Sequence, residues 1–366
     1  MAGSARVEIL SWAMDCLRLD ALTRPASVAI KAPASEALMS TRGSVAISYG
    51  SDKVTVQPRS NNTAEEVVAA ASMFLLFGWV FFGPWLTLAS LYLALCGYRI
   101  ALLFFTAVVG AALLPAQGEW PAFRNWPLFD TWRRYHRMHL IVPPLPYLKE
   151  GRSHLFAHFP HATFPMGAWL SMPLCGAPET GLPARTKGAV ASILFRLPVV
   201  SQFFTWMGCL PAGRHTMLAA LARGESLGVM PEGIAGIFTA TRHRERIYAR
   251  HKGYARLAIQ AGTDVVPVYH LGQTQVLSYA PLSPTLSRKI KTACGFFYGR
   301  FFLPLPHPAQ IVSVVGAPIA VVQRDEPTQA EVDALHAQVL AGLQSIFEAH
   351  KHLVPALAGK TLETLM

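Results

Sequence analysis

The sequence predicts an α/β domain preceded by a pair of membrane helices. Three observations predict it: an almost uncharged run over residues 67–118, short apolar segments alternating with helical patterns from Phe123 onward, and a composition poor in charge. Of 366 residues, 52% are hydrophobic and 14% are charged, and the mean hydropathy is +0.32. Soluble domains average about 25% charged residues, so much of this surface is expected to face something other than water. The formal net charge of +11 suits anionic lipid heads or a phosphorylated small molecule. Nucleic acid is not expected as a partner, because no binding motif accompanies the charge.

Residues 1–62 are rich in Ala, Ser and Arg with weak periodicity and are expected to form a poorly ordered extension. In 67–118 the single charged residue is Arg99. A bilayer core takes roughly 20 apolar residues per helix, so residues 63–120 are long enough for a transmembrane hairpin. Gly83-Pro84 marks a break in the first helix. Arg99 at the centre of a span would cost about 2.5–3.5 kcal/mol, which places it at or near the turn. The arginines that follow (Arg124, Arg133, Arg134 and Arg137) put that flank in the cytosol, and an even number of passes puts the N-terminus there too.

Residues 121–366 read as the α/β domain. The apolar runs 155–159, 227–230, 265–269 and 311–315 read as strands. Helices are expected over 216–223, ending at Gly224, and 254–261, ending at Gly262. Thr328-x-x-Glu331 is a capping box; it opens a helix that presents Val332, Leu335, Val339, Leu343 and Phe347 on one face. Cys16, Cys96, Cys175, Cys209 and Cys294 are odd in number and far apart, which reads as reduced thiols.

Three segments could carry chemistry. His161 follows the apolar stretch that begins at His154, with Pro160 fixing the backbone before it. Its imidazole titrates near neutrality and can accept a hydroxyl proton. Glu232, in Val229-Met230-Pro231-Glu232-Gly233, could orient His161 or hold a hydroxyl, and backbone N–H groups near Gly233 could stabilise an oxyanion. The cluster Arg242, Arg244, Arg246, Arg250, Lys252 and Arg256 suits phosphates, although a solvated face or one against lipid heads accounts for it equally well. Gly224-Glu225-Ser226-Leu227-Gly228 matches the serine-hydrolase pattern, but that motif needs strand, turn, then helix, and here the order is helix, turn, strand. The His136/His139 and His158/His161 pairs lack further ligands at motif spacing, so no metal is expected.

Taken in order, these segments resemble the type-2 diacylglycerol acyltransferase family, with most likeness to its plant and algal members. Pro160-His161 matches the family's Pro-His pair. Thr205-Trp206-Met207-Gly208 with Pro211-Ala212-Gly213-Arg214, Pro231-Glu232-Gly233, and Lys252-Gly253-Tyr254 through Ala258 resemble its later blocks. So do Val266-Pro267-Val268-Tyr269 with Gly272-Gln273-Thr274-Gln275-Val276, Tyr298-Gly299-Arg300 with Pro304-Leu305-Pro306, and Val315-Gly316-Ala317-Pro318-Ile319. The resemblance runs over about 67–347. Phe159 and Ala162 depart from it, and the family's usual glutamate falls at Gly236 while Glu232 takes a glycine position. That Pro-Glu-Gly is similar to lysophospholipid acyltransferases. These carry an aspartate where this chain has Met166, and an arginine after Pro-Glu-Gly that it lacks.

The resemblance implies a mixed-sheet acyltransferase domain that moves a fatty acyl group from acyl-CoA, as co-substrate, to diacylglycerol, giving triacylglycerol. The missing arginine favours a neutral acceptor. Monoacylglycerol, a long-chain alcohol or phytol as acceptor, a serine lipase acting through Ser226, and a non-catalytic lipid-binding protein are the alternatives. The implied roles are His161 as base, Glu232 as its support, Gly233 at the oxyanion, and Arg242, Arg244, Lys252 and Arg256 on the coenzyme A phosphates. No cofactor or metal is implied. Membrane lipids are the expected surroundings, and a homo-oligomer is left open. The implied location is the endoplasmic reticulum membrane, multi-pass with both termini cytosolic, with access to lipid droplets.

Overall fold

A computed structural model describes residues 38–39, 45–49, 62–113, 118–149, 151–197, 199–283 and 295–366, with isolated positions between 284 and 294. In chain order its strands are β1 (Leu38–Met39), β2 (Ala46–Tyr49), β3 (His139–Val142), β4 (His154–Phe159), β5 (Thr186–Val190), β6 (Leu210–Pro211), β7 (Ser226–Val229), β8 (Glu245–Tyr248), β9 (Asp264–Leu271), β10 (Ser278–Pro281), β11 (Gly295–Tyr298), β12 (Val312–Val315) and β13 (Leu362–Leu365). The helices are α1 (Thr63–Leu95), α2 (Arg99–Leu113), α3 (Pro121–Arg124), α4 (Leu128–Tyr135), α5 (Met166–Ser171), α6 (Val200–Trp206), α7 (Arg214–Ala222), α8 (Gly233–Thr239), α9 (Gly253–Ala261) and α10 (Gln329–His350).

The Val-rich β9 is buried along its whole length, as expected of a strand covered on both faces. Among the described residues it sits in a nine-stranded sheet of order β1-β2-β3-β12-β9-β4-β7-β5-β6. β1–β2 and β12–β9 pair antiparallel, and the other neighbours pair parallel. This is the α/β architecture read from the sequence, in the mixed-sheet form that the resemblance implies, with parallel pairing dominant.

Alternation along the strands splits the core in two. Leu155, Ala157 and Phe159 of β4, with Val265, Tyr269 and Leu271 of β9, join the cluster built with α7, α9 and α10. Phe156, Val266 and Val268 join the opposite cluster with α1, α4 and α5. Helix α10 starts where its capping box predicts: the Thr328 hydroxyl accepts the Glu331 N–H at 3.2 Å, and Glu331 accepts the Thr328 N–H at 2.8 Å. All five predicted apolar positions on this helix are buried. Helix α9 ends at Gly262 with φ +62°, in the left-handed region, where a side chain would be strained.

The apolar run forms α1 and α2 with Arg99 as the first residue of α2, so the expected placement of Arg99 beside the turn holds. In α1, Ala69, Met73 and Phe77, four residues apart, pack on the domain, and Trp132 Nε1 donates to Ser72 Oγ at 2.9 Å. Farther along, Trp85 is 71% exposed and Leu95 80%. Thr63–Trp79 and Phe82–Leu95 meet at a 64° bend. Pro84 lies inside the helix, where it removes one hydrogen bond and crowds the carbonyl four residues before it. Among the described residues no single helix is long and apolar enough to cross a membrane, and the halves of α1 reach that measure only as a bent pair.

Residues 46–49 correct the expectation of a poorly ordered extension up to residue 62. They form β2, parallel to β3, with Val45 and Ile47 fully buried and Ser48 Oγ 2.9 Å from His139 Nε2. A four-residue strand beside Ala/Ser-rich sequence carries too little periodicity to be read without its partner. Apart from 38–39, 45–49 and 62, that expectation lies outside the described residues, as do Cys16 and Cys294. Cys96, Cys175 and Cys209 are free thiols.

Buried imidazoles are expected to make the fold acid-labile. His136, His139, His158 and His307 are each lowered to about 4, with desolvation as the largest cause. A group with a depressed folded-state value binds fewer protons folded than unfolded, so stability rises with pH through the window. Glu232 and Glu245, raised to about 7 by burial, push the other way, but burial also lowers His154, His161, His270 and His336, which act with the first four. The thermal midpoint is therefore expected to fall as pH is lowered from 6.5 toward 4; a midpoint that holds or rises in a differential scanning titration contradicts this.

Candidate active site

β4, β7 and β9 are parallel neighbours, with Ala157 opposite Val229 on one side and Pro267 on the other. Their C-terminal ends therefore open at one edge of the sheet, where ligands of α/β sheets commonly sit. Pro160-His161 follows β4, Glu232 follows β7, and Gly272-Gln273 follows β9. Residues 71 and 112 positions from His161 in sequence thus meet it in space.

His161 is half-buried. Its Nδ1 lies 2.9 Å from the Ala162 carbonyl oxygen. A carbonyl only accepts, so Nδ1 is assigned the proton and Nε2 keeps its lone pair. Burial holds the imidazole below its ordinary value, partly offset by the bond to Ala162, which favours the neutral ring.

Glu232 is completely buried and meets His161 differently from the sequence expectation. One carboxylate oxygen accepts the main-chain N–H of His161, and the other accepts the Tyr248 N–H at 2.6 Å. Both oxygens are thus committed to backbone, and the carboxylate positions the loop that carries the imidazole instead of gripping the ring or a substrate hydroxyl. Burial raises its pKa to about 7 against the pull of these two bonds, and the nearby Glu245 raises it further. Helix α8 starts directly after Glu232 and packs beneath His161. A Cβ at Gly236 would lie 2.7 Å from His161 Cβ and 2.8 Å from Glu232 Cβ, so neither carboxylate nor imidazole can hold its place beside a larger residue 236.

Gly233 forms the turn expected of it. Its N–H donates to the Met230 carbonyl at 3.1 Å and its φ is +53°, so it closes the turn into α8 and its donor is spent there. The four cations assigned to coenzyme A phosphates are not gathered on one set of partners. Lys252 Nζ lies 2.8 Å from Asp333, Arg256 donates to the Pro327 carbonyl and to Gln329, and Arg244 lies 3.9 Å from Glu363. Arg242 is exposed and belongs to the segment after α8; its Nη1 lies 3.3 Å from His307 Nε2, and its carbonyl accepts from Gln275 at 3.1 Å.

Sequence reasoning quoted Gln273 in a family-like block but gave it no role. Its amide nitrogen donates to the Pro160 carbonyl and its oxygen accepts the Gly167 N–H at 2.7 Å, so it clamps the His161 loop from the β9 side. Its position after the strand parallel to β4 was the available signal. Glu245 was missed: buried below the site, it accepts from Thr274 Oγ1 at 2.9 Å and Tyr269 Oη at 3.1 Å.

The other flagged residues lie elsewhere. His158 turns away from His161 and bonds His270 at 2.9 Å, which in turn meets Ser313 at 2.8 Å. His158 also lines an apolar cavity of about 30 Å³ with Leu140, Phe156, Met172, Cys175 and Gly228, room for about two waters. His136 Nδ1 bonds the Ala309 carbonyl at 3.1 Å. Ser226 opens β7 instead of following a strand, is buried, and accepts the His154 N–H at 3.0 Å, which is not the geometry of a serine nucleophile.

The sequence matches the diacylglycerol acyltransferase family over residues 80–363. The chain belongs to that family. Its His161, Glu232, Gln273 and Glu245 all fall within the matched span. Diacylglycerol O-acyltransferase 2 of Danio rerio is 27% identical over 56% of this chain and 62% of its own length, so the match spans less than two thirds of that relative. The Homo sapiens diacylglycerol O-acyltransferase 2 is 25% identical over 69% of this chain and 71% of its own length. Among solved structures, the 1-acyl-sn-glycerophosphate (LPA) acyltransferase PlsC from Thermotoga maritima is 14% identical, with a TM-score of 0.40 over 78% of this chain and 99% of that one.

Proposed function

We propose that this diacylglycerol acyltransferase family member transfers a fatty acyl group from acyl-CoA to diacylglycerol, forming triacylglycerol, with His161 as general base. The observation that carries the reading is the tethered tautomer of His161: Nδ1 bonded to Ala162 and Nε2 left as acceptor at the strand ends. In the reaction Nε2 takes the acceptor hydroxyl proton while that oxygen attacks the thioester carbonyl. The tetrahedral adduct collapses, the carbon–sulfur bond breaks, and the imidazolium returns the proton to the leaving thiolate. Glu232 and Gln273 act as positioning residues, holding the loop from two sides. Of the cations, Arg242 is the one beside the Gln275 turn next to the site, so it is assigned to the coenzyme A phosphates ahead of Arg244, Lys252 and Arg256.

The exposed apolar surfaces of α1 and α2 suit burial in a bilayer, which lets a neutral diacylglycerol reach the site laterally while acyl-CoA arrives from water. Residence in the endoplasmic reticulum membrane, with both termini cytosolic and access to lipid droplets, follows from the same reading. The test is expression of the full chain in a cell line that lacks triacylglycerol synthesis. Triacylglycerol is expected to appear, and membranes are expected to make it from labelled acyl-CoA and added diacylglycerol. Wax or phytyl esters without triacylglycerol would move the acceptor to another lipid alcohol, and no ester at all would defeat the proposal.

A further inference from the structure

The β10–β11 hairpin and the turn after it carry an apolar, cationic surface far in sequence from α1 and α2. Phe301 is 73% exposed and Leu282 68%, and Phe296, Phe302 and Leu303 are exposed beside them. Large apolar groups gathered on one exposed element mark an interaction surface. Two further observations point to what it meets.

The first is backbone conformation. Phe301 and Phe302 both lie in the left-handed region, with φ +57° and +58°, a costly placement for bulky residues that persists only where the surroundings impose it. The imposing contacts are local. Gly299 N–H donates to Leu303 at 2.8 Å and Arg300 N–H to Leu305 at 2.8 Å. A Cβ at Gly299 would lie 2.1 Å from the Leu305 carbonyl. The result is a tight loop that turns the Phe301 ring outward, with the Arg300 guanidinium 5.3 Å above it.

The second is charge. Residues 265–324 contain no Asp or Glu, while the segment around the hairpin holds Arg288, Lys289, Lys291 and Arg300. Lys289 is exposed; Arg288 and Lys291 lie outside the described residues. Aromatic rings on a tight turn that also carries Arg300, with Lys289 exposed in the preceding connection and no carboxylate in the sequence from 265 to 324, match a bilayer interface, where rings sit at the headgroup level and cations meet anionic lipid. A protein partner gives no reason for the complete loss of carboxylates over 60 residues.

We infer that the Phe296/Phe301/Phe302 surface is a second membrane contact, separate from α1 and α2, that inserts among anionic headgroups. Its base is tied to the candidate site: Tyr279 of β10 packs 5.5 Å from Phe238 of α8, the helix that starts at Glu232. The contact would hold that edge of the sheet against the lipid surface.

For the test, the full chain is reconstituted in vesicles of phosphatidylcholine, with and without phosphatidylserine, with p-benzoylphenylalanine replacing Phe301. A parallel preparation carries the probe at Phe296, in case the left-handed backbone at 301 refuses the larger side chain. A control carries it at the exposed Glu348 of α10. After illumination, lipid adducts at 296 or 301 are expected several-fold above those at 348, and higher with phosphatidylserine present. Adducts mainly to polypeptide, adducts no higher than at 348, or equal yields in the two vesicles would overturn the inference. No acyl-CoA is needed, so this result is read independently of the acyl-transfer reading.

Discussion

His161→Ala is expected to lower triacylglycerol formation by about 10²–10⁴-fold, the range that a positioned acid–base group supplies, while the protein still inserts and folds. The imidazole is half-buried and its side chain bonds the adjacent Ala162 carbonyl, so truncation leaves no buried donor stranded. A stability change of about 1 kcal/mol or less is expected. Membrane assays with labelled acyl-CoA, paired with a thermal melt of the same preparation, separate the two effects. Burial keeps the ring below its ordinary value, and a base works in its deprotonated form. The parent rate should therefore hold its plateau below pH 6.5 and fall only on further acidification, and that limb should vanish in the variant. Near-parental activity in His161→Ala would remove the base assignment.

Glu232→Gln is expected to lower kcat by about 10²-fold through displacement of the histidine, with KM for acyl-CoA little changed. The carboxylate accepts two main-chain N–H groups inside a fully buried pocket. Glutamine can satisfy one of them but turns its NH₂ toward the other, and a buried donor facing a donor costs about 1–3 kcal/mol. The thermal midpoint should therefore drop along with the rate. Glu232→Asp retains both acceptors on a shorter stem and should recover part of kcat, a pattern that simple destabilisation would not give. A Gln variant with kcat within a few-fold of the parent would show that the loop keeps its shape without the carboxylate.

Much of the scaffold was legible because its signals are local. Periodicity marked β4, β7, β9 and β12, the glycines marked the ends of α7 and α9, and the Thr328–Glu331 box marked the start of α10. His161 and Glu232 could be placed together because each follows an apolar strand. What each does there could not be read. Whether a carboxylate reaches a ring or a main-chain N–H depends on the depth at which α8 packs, and Gly236 sets that depth. The partners of the basic cluster were illegible for a related reason. The acids that meet Lys252 and Arg246 lie 81 and 117 residues downstream, beyond any local pattern. Gln273 stood in a family-like block but received no role, because a glutamine has no characteristic chemistry until its neighbours are known.

The short strand at 46–49 also constrains how the chain is threaded. Ile47 pairs with Leu140 in one ladder, yet the whole apolar stretch separates them in sequence. Hydrogen-bonded neighbours must occupy the same aqueous compartment. Whatever path residues 63–113 take, the chain returns to the sheet edge that it left, and both flanks of the apolar stretch lie in one ladder.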